Sequence, residues 1–225
     1  MIRLTNVNHA IQKYVIDQLT YTKVARFSDL RPVHTDTNVF SYHLKALIKE
    51  GLIKKVDDGY TLAVTGLSYV DRVGPKNHLT QMQPKIVSML LIQNSHGDML
   101  LQRRKKQPYI DTWTLPYGKI QIDDISIEIA AQRVAKDRLG LINQPLRHIG
   151  ICYIRVASDN DILSTTMTHV YSFKNDAVVT SDDIVWARPH KLVDYMLAPA
   201  VEEIVARGFF NDPFFFEEFD VEWPS

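Results

Sequence analysis

The residues of this chain best suited to chemistry lie between 103 and 141. Four consecutive cations, Arg103-Arg104-Lys105-Lys106, precede the turn sequence Trp113-Thr114-Leu115-Pro116-Tyr117-Gly118. A short acidic loop with Asp123 and Asp124 follows, and then a helical segment from Ser126 that carries Glu128, Arg133, Asp137 and Arg138. Carboxylates gathered on one helix face could hold a divalent ion; guanidinium and ammonium groups could hold phosphate oxygens directly. Arg133 and Asp137 are spaced for a structural contact one turn apart. The run Arg103–Lys106 reads by itself as a solvated surface stretch. Trp113 reads as core, and Tyr117 either as core or as a platform on which a base stacks.

The flanking sequence supplies elements to position these residues. Residues 85–93 and 99–103 are β-rich runs joined by Asn94-Ser95-His96-Gly97-Asp98, a hairpin signal. Residues 146–156 and 165–173 predict two more strands, separated by a polar loop at 157–161. A further strand is expected at Ile184–Ala187. A closing helix then runs to about Arg207, with Val201, Ile204 and Val205 on its apolar side and Pro199 in its first turn. The tail from Phe209 to Trp223 is dense in aromatics and acids, too apolar to stay in water. It is expected to pack on the chain's own first domain or on a second subunit, with the second subunit favoured.

The strand–loop–helix layout from Trp113 to Leu141 resembles the Nudix box, the diphosphate-binding motif of the Nudix hydrolases. The passage Gln102-Arg103-Arg104, leading to Trp113-Thr114-Leu115-Pro116-Tyr117-Gly118, is similar to the family's entry into that box. The resemblance implies an α/β/α sandwich around a mixed sheet, supplied by residues 85–207. It also implies a nucleotide-type diphosphate ligand near Arg103, Arg104, Lys105, Tyr117, Gly118, Arg133 and Arg138. Gly118, Arg133, Gly140 and Leu141 match the box, and Asp124 and Asp137 are shortened acids at or near acidic positions. The two positions that carry the family's main metal ligands, one and five residues after the arginine, hold Val134 and Arg138 instead. An arginine within about 4 Å of a divalent ion costs up to roughly 8 kcal/mol at an effective dielectric of about 20. The ordinary magnesium site is therefore not expected, and no cofactor is expected with it. Arg138 is left either as a surface arginine paired with an acid or as a fork that grips diphosphate oxygens in the ion's place.

The first eighty residues read differently. Val7, Ala10, Ile11, Val15 and Leu19 give a helix from about Thr5 to Leu19, and Phe27–Leu30 gives a short second one. A third opens at Thr35 or Asp36 and ends at Gly51, with Phe40, Leu44, Leu47 and Ile48 as its apolar stripe. Residues 52–56 and 60–64 flank an Asp-Gly turn, and a last helix is expected from about Gly66 to Val73. The run from Phe40 to Ile53 resembles the recognition helix and wing of bacterial and archaeal winged-helix repressors; the resemblance covers roughly residues 5–73. It implies DNA contacts from Asn38, Ser41, Tyr42, Lys45 and Lys49 on the third helix, and from Lys54 and Lys55 on the wing. Winged helices also serve as protein-interaction modules, which leaves that use open.

Composition is ordinary for a globular protein, at 23% charged and 45% hydrophobic with zero formal net charge. The charge is uneven: residues 1–78 hold 11 Lys/Arg against 7 Asp/Glu, and the remainder 15 against 19. A single cysteine, Cys152, excludes an internal disulfide and reads as a buried thiol of a reducing compartment. No signal or membrane segment is apparent, and a cytoplasmic location is expected. The reading is thus an α+β chain with a winged helix-turn-helix domain at 1–78, then a Nudix-like domain at 79–225 separated by Gly74-Pro75-Lys76-Asn77-His78. The expected function is a homodimeric DNA-binding regulator whose Nudix-like domain senses a nucleotide-type diphosphate. Known families join the two domain types for transcriptional control, usually in the opposite order. The alternative is an active Mg²⁺-dependent hydrolase of nucleoside diphosphate derivatives, with a metal site rebuilt from Asp123, Asp124, Glu128 or Asp137. A third is a pure assembly module, in which both domains only hold partners.

Overall fold

The computed structural model describes residues 7, 9–71, 83–158, 161–209 and 214–223, with no statement on the Phe209 side chain. The expected linker at 74–78, helix residues 5, 6, 8, 72 and 73, loop residues 159 and 160, and tail residues 210–213 lie outside that set. The chain divides into two compact units, Met1–Met82 and Gln83–Ser225. No helix among the described residues is long and apolar enough to cross a membrane.

The first unit contains α1 (Ala10–Tyr21), α2 (Phe27–Leu30), α3 (Thr37–Lys49), β1 (Ile53–Val56), β2 (Gly59–Leu62) and α4 (Val64–Val70). Helix α1 begins later than the apolar spacing suggests, because the His9 ring accepts the Ile11 amide and caps it. Helix α3 starts where an N-cap was expected: Asp36 accepts the amides of Asn38 and Val39 at 2.8 and 3.2 Å. Phe40, Leu44 and Leu47 are buried against Val15, Ile16, Leu19, Leu30 and Leu52. Ile48, expected in the same stripe, sits at the rim and is 39% exposed. Strands β1 and β2 pair antiparallel around Asp57-Asp58, and a bridge from Ala25 to Tyr60 ties them to the turn after α1. Three helices, a two-stranded wing and a closing helix are the arrangement of a winged helix-turn-helix.

The second unit is built on one mixed eight-stranded sheet. Its elements are β3 (Lys85–Gln93), β4 (Met99–Arg103), β5 (Trp113–Thr114), β6 (Tyr117–Lys119), α5 (Ile127–Leu139), β7 (Arg147–Ser158), β8 (Asp161–Lys174), β9 (Ile184–Ala187), α6 (Val201–Phe209) and β10 (Phe215–Glu222). The order is β10-β7-β8-β3-β4-β5, with β6 on β3 and β9 on β4. The β3–β8 and β10–β7 pairs are parallel and the others antiparallel. Alternation along β3 splits the core: Met89 and Leu91 pack with Val201, Ile204 and Val205 of α6, while Leu90 and Ile92 pack with Ala131, Val134 and Ala135 of α5. Two helix layers therefore cover the two sheet faces.

The tail departs from expectation. Residues 215–222 form β10, an edge strand parallel to β7 of the same sheet, a place that the sequence reading did not give them. Phe215 is buried, and Phe219 and Val221 pack partly against the same core, while Phe216, Glu218, Asp220 and Glu222 face out. That alternation is a strand signature, and composition alone hides it. Gly150 of β7 makes the seat, since a Cβ there would meet the Phe215 ring at 2.6 Å. Arg155 pairs with Asp220 and Arg207 with Glu217, both at 2.8 Å. Cys152 lies fully buried in this core, its thiol pushed up to about 12 by burial and then by Glu217.

Candidate functional site

Helix α5 is fixed at both ends. Ser126 accepts the Ile129 amide at 3.1 Å, and Gly140 closes the helix with φ of 70°. Between them Arg133 holds the preceding loop. Its Nε and Nη2 donate to the two carboxylate oxygens of Asp124 at 2.9 and 2.6 Å, and Nη2 also donates to the Lys119 carbonyl at 2.9 Å. Asp124 further accepts the Gln121 amide at 2.7 Å. The hydrogen bonds from Arg133 hold the Asp124 carboxyl below the usual range, and the same pairing raises the guanidinium. Asp137 reaches the same arginine at 3.9 Å, as the i, i+4 spacing predicts.

The two positions at which the sequence resemblance implies metal ligands are occupied otherwise. Val134 is 2% exposed and packs against Gly118, where an added Cβ would stand 2.6 Å from Val134 Cγ2. Arg138 is exposed and lines a 270 Å³ cavity together with Gln102, Arg103, Arg104, Lys105, Lys106, Thr114 and Tyr117. That lining contains five cations and no carboxylate. Among the described residues no three His, Cys, Asp or Glu side chains gather as a metal set, so Asp124, Glu128 and Asp137 do not form one. The donors present do not fit a magnesium ion.

Three members of the basic run are individually anchored. Arg103 pairs with Asp111 at 2.9 Å, and Lys105 with Asp183. Arg104 donates to the Tyr117 hydroxyl and, at 3.2 and 2.7 Å, to the Pro108 carbonyl. Its guanidinium also lies over the rings of Tyr109 and Tyr117, at 5.4 and 5.2 Å from their centroids. This Arg104–Tyr117 contact stands between the cationic cavity and a second one of 410 Å³, because both residues line both spaces.

The second cavity has apolar walls from Val87, Met89, Ile154 and Val156, hydroxyls from Ser164, Thr166 and Thr168, and cations at Lys85, Lys106 and Lys119. Tyr109 closes one side, its hydroxyl 2.8 Å from Ser164 Oγ and its ring edge-on to Trp223. Its backbone is left-handed, with φ of 66°, a costly conformation for an aromatic residue. Burial raises the Tyr109 hydroxyl, partly offset by the bond to Ser164.

Of the residues expected to meet the ligand, the structure gathers Arg103, Arg104, Lys105, Tyr117 and Arg138 around the cationic cavity. Gly118 and Arg133 line neither space; the first makes room for Val134, and the second is spent on Asp124. Trp113 packs partly into the core against Tyr195, as a core reading requires. Tyr109, Lys85 and Lys119, which line the second cavity, were not singled out in the sequence. The Pro108-Tyr109 pair, one residue beyond four consecutive cations, was a usable signal for the first.

The first unit presents a separate surface. Asn38, Tyr42, Lys45 and Lys49 are exposed along α3, Ser41 is half-buried, and Lys54 and Lys55 are exposed on β1. Tyr42, Lys45, Ala46, Lys49 and Glu50 border a shallow depression on that helix.

A family model described as NUDIX domain matches residues 82–208. No curated protein matches the chain. Among solved structures, a MutT protein from Bacillus halodurans is 16% identical, with 60% of this chain and 89% of that one covered and a TM-score of 0.50. The NUDIX domain of Shewanella oneidensis NrtR, complexed with ADP ribose, is 17% identical over 64% of this chain and 96% of that one, at a TM-score of 0.48. A MutT protein from Methanosarcina mazei Go1 is 22% identical over 58% and 94%, at 0.44. At such identities the likeness is one of fold.

Proposed function

This chain belongs to the NUDIX domain family, and from that premise we propose that it is a transcriptional regulator: its Nudix unit binds a nucleotide-type diphosphate without cleaving it, and its winged helix binds DNA. The observation that carries the reading is the exchange of charge at the metal position. Val134 is sealed against Gly118 and Arg138 opens into a cavity of cations, so the place a hydrolase keeps for magnesium suits phosphate oxygens instead. Arg104, Lys106, Tyr109 and Tyr117 complete a site with polar, aromatic and cationic faces.

The exposed face of α3 supports DNA binding. An amide, hydroxyls and two lysines are suited to base edges and phosphates, and Lys54 and Lys55 extend the contact onto the wing. One such module makes few phosphate contacts, so a homodimer reading two half-sites is the functional form proposed.

The test is selection of a bound site from a randomised DNA pool by the full chain, repeated with a panel of nucleoside diphosphate derivatives. The reading expects salt-sensitive enrichment of one sequence, with the bound fraction changed by one nucleotide that is recovered intact. Absence of any enriched site, together with phosphate release in Mg²⁺ or Mn²⁺, would replace it with a hydrolase.

A further inference from the structure

We propose that the cavity beside Arg138 is a metal-independent seat for a terminal, uncapped phosphate of the ligand. The inference rests on the reading that the Nudix unit binds a nucleotide-type molecule. It adds which end of that molecule lies where, and what neutralises it.

The two cavities share Arg104, Lys106, Thr114 and Tyr117 and differ in their remaining walls. The one beside Arg138 is lined by Arg103, Arg104, Lys105, Lys106 and Arg138 with Gln102, Thr114 and Tyr117, and it has no aliphatic wall. Tyr117 supplies the one ring on its lining, with Gln102 and Thr114 as the other uncharged side chains. Apolar surface and hydroxyl groups lie across the Arg104–Tyr117 contact, in the cavity of Ile154, Val156, Ser164 and Thr168. A molecule spanning both puts its organic part in the second and only phosphate in the first.

Charge decides the protonic state and the metal requirement. Two of the five cations have acid partners, Asp111 for Arg103 and Asp183 for Lys105. Arg104 is bonded to neutral oxygens. Lys106 and Arg138 have no ion pair among the described residues. Three positive charges thus converge uncompensated, and a dianionic terminal phosphate answers them better than the monoanionic phosphodiester of a capped diphosphate. A guanidinium fork supplies paired donors to two phosphate oxygens, which a magnesium ion would otherwise bridge. A divalent cation here would be repelled by its own surroundings.

The test is isothermal titration of the full chain in EDTA with inorganic diphosphate, with ADP, GDP, CDP and UDP, and with ADP-ribose. Inorganic diphosphate reads the cationic cavity without regard to the base. The expected result is binding of inorganic diphosphate and of one nucleoside diphosphate in EDTA, unchanged by Mg²⁺, with ADP-ribose no tighter than ADP. Arg138→Gln and Lys106→Gln, both at exposed positions, each weaken diphosphate by roughly 10- to 100-fold, the loss of one charge-assisted hydrogen bond. Unaltered unfolding curves check that both variants fold. Binding that needs Mg²⁺, a preference for ADP-ribose, or diphosphate affinity indifferent to both substitutions overturns the inference and leaves the nucleotide reading standing. Failure of every compound, with or without Mg²⁺, overturns both.

Discussion

The Asp124 carboxylate receives three hydrogen bonds, two from Arg133 and one from the Gln121 amide, and its side chain is 6% exposed. An acid so engaged fastens the loop to α5 and has little left to offer a cation. Because its folded pKa is depressed, its contribution is complete above the unfolded value of about 3.8 and is lost as pH falls through the lower, folded one. Asp124→Asn should therefore cost about 1–3 kcal/mol at pH 7, and the gap to the natural protein should close as the pH is taken below 3.8; urea unfolding across pH measures both. Val134→Glu places a carboxylate at a 2% exposed position against Gly118 and should destabilise by roughly 2–4 kcal/mol in the same assay. Arg133–Asp137 was readable from i, i+4 spacing, whereas Arg133–Asp124 was not. That pair closes across a loop whose path the sequence does not state.

At the scale of elements, the strand–loop–helix around α5 was legible because its turn residues, N-cap and closing glycine are local signals. The second cavity was not. Lys85, Lys119, Ile154 and Ser164 reach one another only because β3 and β8 pair in parallel, β7 pairs with β8 and β6 folds back on β3. No short-range pattern records such pairing. Strand β10 was hidden for another reason: its alternation of inward and outward residues sits inside a run so rich in phenylalanine that composition masks period. Gly150→Ala should clash with Phe215 and lower stability by about 1–3 kcal/mol. Amide exchange of residues 215–222 should quicken with it, and unchanged protection there would show that β10 does not depend on the Gly150 seat.

Across the whole molecule, zero net charge conceals an uneven distribution by sign. The first 78 residues carry a net +4 and the rest −4, yet the acidic part keeps five cations around one cavity. If α3 meets DNA, Lys45→Ala and Lys49→Ala should each lower the slope of log affinity against log salt by about 1. They should weaken selected and unselected sequences alike; a salt slope untouched by either change would take α3 off the DNA.

Phosphorus NMR of the selected nucleoside diphosphate with the full chain tests recognition without cleavage most directly, first in EDTA and then after Mg²⁺ is added. The account predicts phosphate resonances that shift on binding in EDTA and a nucleotide that persists intact once the ion is present. Resonances that move only with Mg²⁺, and then give way to monophosphate and orthophosphate, would contradict it.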